Sequence, residues 1–257
     1  MNPLDAYRDT ASRARLFLRY HDGLVPAQSR SISIGWGASF SQLTGWTSAS
    51  GIQRVDCKDA VIVLRQGAVL NPDHFTKSCL DDQLRAALTF GVSALDRYVH
   101  ERVVKGIVAA LKKPSLNREQ REFAIPVSTA IKISAESVKA AKDNKRLRPA
   151  NIIRKQVQVL LHKRPFQSYK EIDYAFKLLG VNNLTGQLQA AYGTGDLKAV
   201  KTQLGHIAKR RNQIVHEGDL VVHERGGQVK WHKIERKYVA DSLDFLDVFV
   251  GHLESVV

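Results

Sequence analysis

Cysteine is scarce: Cys57 and Cys79 are the only two in 257 residues, and their spacing fits neither a disulfide framework nor a zinc-ligand pattern. A reducing, cytoplasmic setting is the expectation. Long apolar runs are missing too, since "AVIVL" and "LVV" fall far short of the roughly 20 residues that span a bilayer. The N-terminal "MNPLDAYRDTASRARLFLRY" mixes charges into its apolar positions, so neither a secretory signal nor a membrane partner is expected. Nucleotide chemistry lacks its signature, because "GTGDLK" has no Gly-Lys-Ser/Thr and no strand before it, and the same missing strand excludes a dinucleotide fingerprint. The Gly-x-Ser-x-Gly nucleophile elbow is absent. No two of the nine histidines stand four apart, and His21-Asp22 alone is too short a match for a metal phosphohydrolase. Neither a metal nor another cofactor is therefore expected.

What the chain does have is a hydrophobic content of 44%, enough to bury a core, and 39 Lys+Arg against 25 Asp+Glu, a net charge of +14. Such a surplus favours polyanions through counterion release, with nucleic acid the leading class. The basic residues concentrate in "KAAKDNKRLRPANIIRKQVQVLLHKR", which carries Lys142, Lys145, Arg146, Arg148, Arg154, Lys155, Lys163 and Arg164. This face could grip phosphates or simply be solvated.

Helical periodicity dominates the chain. Leu4, Tyr7, Ala11, Ala14 and Leu18 define a first amphipathic helix. From Ser31 to Gln53 no residue is charged, Gly and Ser abound, and Trp36 and Trp46 stand out; this predicts a loop or short irregular strands, with "DAVIVLRQG" a strand or helical turn beyond it. After Asn71-Pro72-Asp73, a 3.6-residue period through Leu80, Leu84, Leu88, Val92, Leu95, Val99 and Val103 marks the longest helix. Further helices are predicted in "SLNREQREF", "IPVSTAIKISAESVKAAK", "PANIIRKQVQVLLHKR", "SYKEIDYAFKLLG", "DLKAVKTQLGHIAKRRNQIVHEG" and "ERKYVADSLDFLDVFVGHLESVV". A short β-hairpin around Gly226-Gly227, near residues 220–234, is the main strand signal. The class is mainly α, with an N-terminal helix and Gly/Ser-rich appendage over 1–70 packed on a helical domain over 72–257.

The stretch "AKRRNQIVHEGDL" carries the candidate chemistry. At about 100° per residue, Val200, Leu204, Ile207, Ala208, Ile214 and Val215 share the core-facing arc, and Arg211 falls in its middle. An arginine there must be paired or open onto a cleft, because an unpaired buried charge costs several kcal/mol. Gly218 should stop the helix, leaving His216 in its last turn, facing the negative end of the helix dipole, four residues from Asn212.

The run Arg211-Asn212-Gln213-Ile214-Val215-His216 resembles the Arg-x4–6-His signature of the HEPN superfamily, including the polar residue after the arginine, and "RRNQIVHEGD" is most similar to its RiboL-PSP branch. The resemblance covers roughly residues 72–257. It implies a HEPN-like helical bundle, a homodimer whose two motifs line one cleft, and metal-independent RNA cleavage leaving a 2′,3′-cyclic phosphate and a 5′-OH. Such transphosphorylation needs a base for the 2′-OH, a cation for the phosphorane oxygens and an acid for the leaving 5′-oxygen. His216 would move protons and Arg211 would hold the phosphate with its planar donor fork. Asn212 would orient either. Arg210 also satisfies the family's spacing, and Arg211 is preferred for the Asn212 that follows it. Asp96, in "ALDRYVH", is the expected carboxylate partner of Arg211. On a regular helix Arg211 and His216 project about 140° apart, so the pair calls for two subunits or a distorted last turn. A toxin or phage-defence effector, with an antitoxin or regulatory protein as partner, is the expected setting. The plainer alternatives are that Arg211 makes a structural ion pair while His216 ends a helix, or that the chain is a non-catalytic module binding nucleic acid or protein. His100, His206 and His223 read as packing or surface residues.

Overall fold

The computed structural model describes residues 2–46, 52–65, 67–110, 115–143, 149–221 and 230–257. The fold is mainly α: ten α-helices and one small three-stranded antiparallel sheet among the described residues. The chain forms two compact units, both discontinuous, one from residues 1–11, 91–212 and 244–257 and the other from 12–90 and 213–243. Neither ends near residue 71. Along the N-terminal helix Ala6, Tyr7, Ala14 and Leu18 are all buried.

Helix α1 (Pro3–Leu24) begins in the first unit, where Tyr7 donates to Asp247 at 2.5 Å and meets Tyr98 edge-on. Helix α3 (Lys77–Ala110) is the predicted long helix and runs unbroken through Gly91. All seven of its periodic positions, Leu80 to Val103, are buried, which follows from leucine and valine recurring on one face. Tyr98 spends its hydroxyl on Glu254 at 2.7 Å, and the same carboxylate takes Arg102 at 2.6 Å. The short helix α4 (Arg118–Glu122) has a reciprocal capping box between Asn117 and Gln120. Helices α5 (Val127–Lys142) and α6 (Pro149–Leu161) follow, then α7 (Tyr169–Leu178), capped by Ser168. Helix α8 (Leu184–Tyr192) was not predicted; Asn183 caps its start by accepting from Gly186 N at 2.9 Å, and left-handed Gly193 ends it. Helix α9 (Lys198–His216) and helix α10 (Arg236–Ser255) complete the set, each contributing to both units.

In the second unit, β1 (Gln28–Arg30), β2 (Gln53–Asp56) and β3 (Val61–Leu64) pair antiparallel in that order. Val55 and Leu64 face inward, and Arg30, Arg54 and Val63 alternate outward. The uncharged stretch corrects the expectation of a loop, for Ile34–Thr44 is helix α2. Ser33 accepts from Trp36 N at 3.3 Å, Gly45 closes the end at φ 70°, and Trp36 stacks on Phe40 one turn on. The caps and the i,i+4 aromatic pair outweigh the poor helix propensity of Gly and Ser. A 3₁₀ turn (Pro72–Phe75), capped by Asn71, precedes α3. The hairpin arms are present as an isolated antiparallel bridge, Leu220 to Trp231; Gly226-Gly227 and His223 lie outside the described residues. No helix among the described residues is long and apolar enough to cross a membrane.

Candidate active site

Helix α9 forms where predicted, and Leu204 and Ile207 anchor its buried rail. Ala208 and Ile214 are half-buried, while Val215 is exposed, so the apolar arc is narrower than its residue types suggest. Arg211 continues the rail from Leu204 and Ile207. Its side chain is half-buried, and its enclosed Nε has no hydrogen-bond partner, while Nη1 donates to Asn212 Oδ1 at 3.1 Å. Among the described residues no carboxylate pairs with Arg211. Among the described residues this guanidinium therefore has no counter-ion. Arg210 is half-buried and has interactions of its own. Asn212 is exposed, and its amide oxygen accepts the hydrogen bond from Arg211.

His216 is the last residue of α9 and is exposed. Glu217 N and Asp219 N both donate to Gln213 O at 3.1 Å, which closes the helix, and Gly218 and Asp219 then adopt left-handed φ values of 63° and 59°. Asp219 is 1% exposed, and its carboxylate receives Arg85 Nε at 2.6 Å, while Arg85 Nη2 donates to His232 O at 3.0 Å. One buried ion pair thus fixes the turn that follows His216. Sequence reasoning missed both partners, which lie 134 residues apart. The one local signal was an aspartate directly after the stop glycine, a residue type that tolerates left-handed backbone.

Asp96 does not serve Arg211. Its Oδ1 accepts from Phe166 N at 2.5 Å and its Oδ2 faces His100 Nδ1 at 3.3 Å. The four-residue offset that puts Asp96 and His100 on one helix face explains the capture. His100 is correspondingly more than a packing residue: Nδ1 meets Asp96 O at 2.8 Å and Nε2 meets Leu161 O at 3.0 Å. Two carbonyl acceptors need two N–H donors, which only imidazolium supplies. Burial pulls the pKa down, but the hydrogen bonds and charge of Asp96, with the Leu161 carbonyl, prevail and raise it to about 9 from 6.5. A folded-state pKa above the unfolded one contributes stability that is complete below about 6.5 and lost as the pH rises through about 9. Urea unfolding across that window should show a loss on the order of 3 kcal/mol, absent in His100→Gln; equal slopes for both chains would refute the assignment.

Compared with family models, curated proteins and solved structures, the chain matches none. The functional reading rests on its own side chains. No group of three or more His, Cys, Asp or Glu among the described residues could hold a metal. The predicted basic face is divided: Lys139, Lys142, Lys155 and Lys163 are exposed, whereas Arg164 binds Glu171 and lies 3.7 Å over the Tyr174 ring. Lys145, Arg146 and Arg148 lie outside the described residues.

Proposed function

We propose that the chain is a HEPN-type, metal-independent endoribonuclease that works as a homodimer, with Arg211 and His216 as its catalytic pair. The observation that carries this reading is the guanidinium of Arg211, seated on the core-facing rail of α9 with an enclosed Nε and with no carboxylate partner among the described residues. A fixed cation of this kind favours an anion that arrives with the substrate, and the planar fork suits a phosphate. His216, exposed at the helix end, is accessible for proton exchange with a ribose hydroxyl or a leaving oxygen. Because the two residues project about 140° apart along α9, each site draws its arginine from one subunit and its imidazole from the other. Attack by the 2′-OH on the phosphorus breaks the P–O5′ bond; the imidazole of the site accepts the 2′-OH proton and then returns it to the leaving 5′-oxygen. A toxin or phage-defence role, restrained by an antitoxin or regulatory protein, is the setting we infer.

RNA incubated with the protein in excess EDTA should be cut and should carry 2′,3′-cyclic phosphate and 5′-OH ends. Cleavage that needs a divalent ion, or that leaves 5′-phosphate ends, would refute the mechanism. A second reading is favoured by the exposed lysines of α5 and α6: a non-catalytic module that holds nucleic acid in a salt-sensitive way without cutting it.

A further inference from the structure

The tryptophan-bearing segment carries an arrangement that the nuclease reading does not use. Arg54 lies 5.7 Å over Trp36; Trp36 stacks on Phe40 at 5.0 Å and 13°; Phe40 meets Trp46 edge-on at 5.3 Å; and Arg65 lies 5.2 Å over Trp46. The three rings thus form one series with a guanidinium at each end. All of it belongs to the second unit.

The sheet beneath supplies the charge. Arg30 and Arg54 are direct cross-strand partners, a like-charge pairing that is unfavourable unless an anion lies nearby. One carboxylate serves both: Asp56 takes Arg54 through two bonds, at 2.6 and 3.0 Å, and stands 3.8 Å from Arg30. Arg65, one residue beyond β3, continues the outward alternation of Val61 and Val63, is exposed, and has no carboxylate partner among the described residues. Among the described residues, the three positive charges on this face thus share the single carboxylate of Asp56, which reaches Arg30 and Arg54 but not Arg65. A cluster serving only to pack α2 on the sheet needs aliphatic surface, not arginines at both ends of a ring series and a tryptophan left 36% exposed.

We propose that this outer sheet face with α2 is a binding site for single-stranded nucleic acid, with bases stacking against Trp36 and the guanidinium planes and phosphates contacting Arg30 and Arg65. Aromatic platforms beside cationic side chains bind single strands with little sequence preference, because every base has a π-face. An acidic protein surface would satisfy the arginines but leave the rings unused. The proposal stands whether or not the chain cuts RNA.

Trp231 is the third tryptophan, so a Trp231→Phe background leaves emission from Trp36 and Trp46 alone, and His216→Ala in the same chain keeps RNA intact under the nuclease reading. Titration with oligouridylate or oligothymidylate should quench that emission. Quenching by both identifies a general single-strand site; quenching by the ribo-oligomer alone identifies an RNA site. Arg30→Gln with Arg65→Gln, at unchanged circular dichroism and melting temperature, should weaken binding about tenfold and reduce the log–log salt slope by about 1.4, the share of two phosphate contacts. Trp36→Leu should abolish most of the remaining quenching. The proposal is overturned if neither oligomer quenches, if the double arginine variant binds like its parent, or if polyglutamate quenches as strongly as either oligomer.

Discussion

His216→Ala should lower the rate of RNA cleavage about a thousandfold, the usual weight of a positioned acid or base. Its folding stability should change by less than about 0.5 kcal/mol, because the residue is exposed and ends its helix. Arg211→Ala should lose about a hundredfold or more by removing the donors that meet the phosphorane oxygens. Arg211→Lys should recover little, since an ammonium lacks the planar fork. Removing Arg211 also relieves a partly enclosed cation of its desolvation, so this variant should melt no lower than the parent. Activity lost at unchanged melting temperature separates chemistry from collapse. The discriminating comparison is Arg210→Ala, one residue away and also within the family's spacing: under the preferred register it weakens substrate binding and leaves the chemical step largely intact. Single-turnover cleavage in EDTA measures all of these, and full activity in His216→Ala would place the chemistry elsewhere.

The largest effect on stability should come from Arg85→Ala. Arg85 is 13% and Asp219 1% exposed at the side chain, with Nε and Oδ2 at 2.6 Å, so truncating the arginine removes the cationic partner of a carboxylate buried in the second unit. Breaking one partner of such a pair costs about 3–5 kcal/mol. Replacing both, with Arg85→Met and Asp219→Asn, should cost clearly less, because no charge is left unpaired and asparagine accepts the left-handed φ that position 219 requires. Urea unfolding of the two singles and the double closes the cycle. A double variant as damaged as the sum of the singles would mean the pair is not coupled. Because the ion pair holds the turn after His216, Arg85→Ala should also reduce cleavage under conditions where it remains folded, while Lys77→Ala, which removes an exposed lysine paired with Asp81 on the same helix, should not.

The legible parts of the fold are those where one periodic signal acts alone. Leu80 to Val103 declared α3 because a leucine or valine returns every turn, and all seven positions are buried. Helix α9 declared itself through Leu204 and Ile207 and through the stop at Gly218. Helix α2 was hidden because composition and capping disagree: its Gly and Ser content argues for a loop, while Ser33, Gly45 and the Trp36–Phe40 stack are worth more once the sheet lies beside them. At the site, the sequence placed Arg211 on the buried rail, and the structure keeps it there. It could not assign carboxylates. Asp96 was matched to Arg211 across the chain, yet His100 stands four residues away on its own helix and captures it. Asp219 finds Arg85 across 134 residues, a pairing that only the folded chain reveals.

The central claim is that arginine and imidazole act from different subunits, and mixing inactive chains tests it. Arg211→Ala and His216→Ala proteins, each nearly inactive alone, should regain RNA cleavage when unfolded together and refolded as mixed dimers, because one of the two sites then holds an intact Arg211 and an intact His216. A mixed dimer as inactive as its parents, beside an active wild-type dimer prepared the same way, would contradict the account.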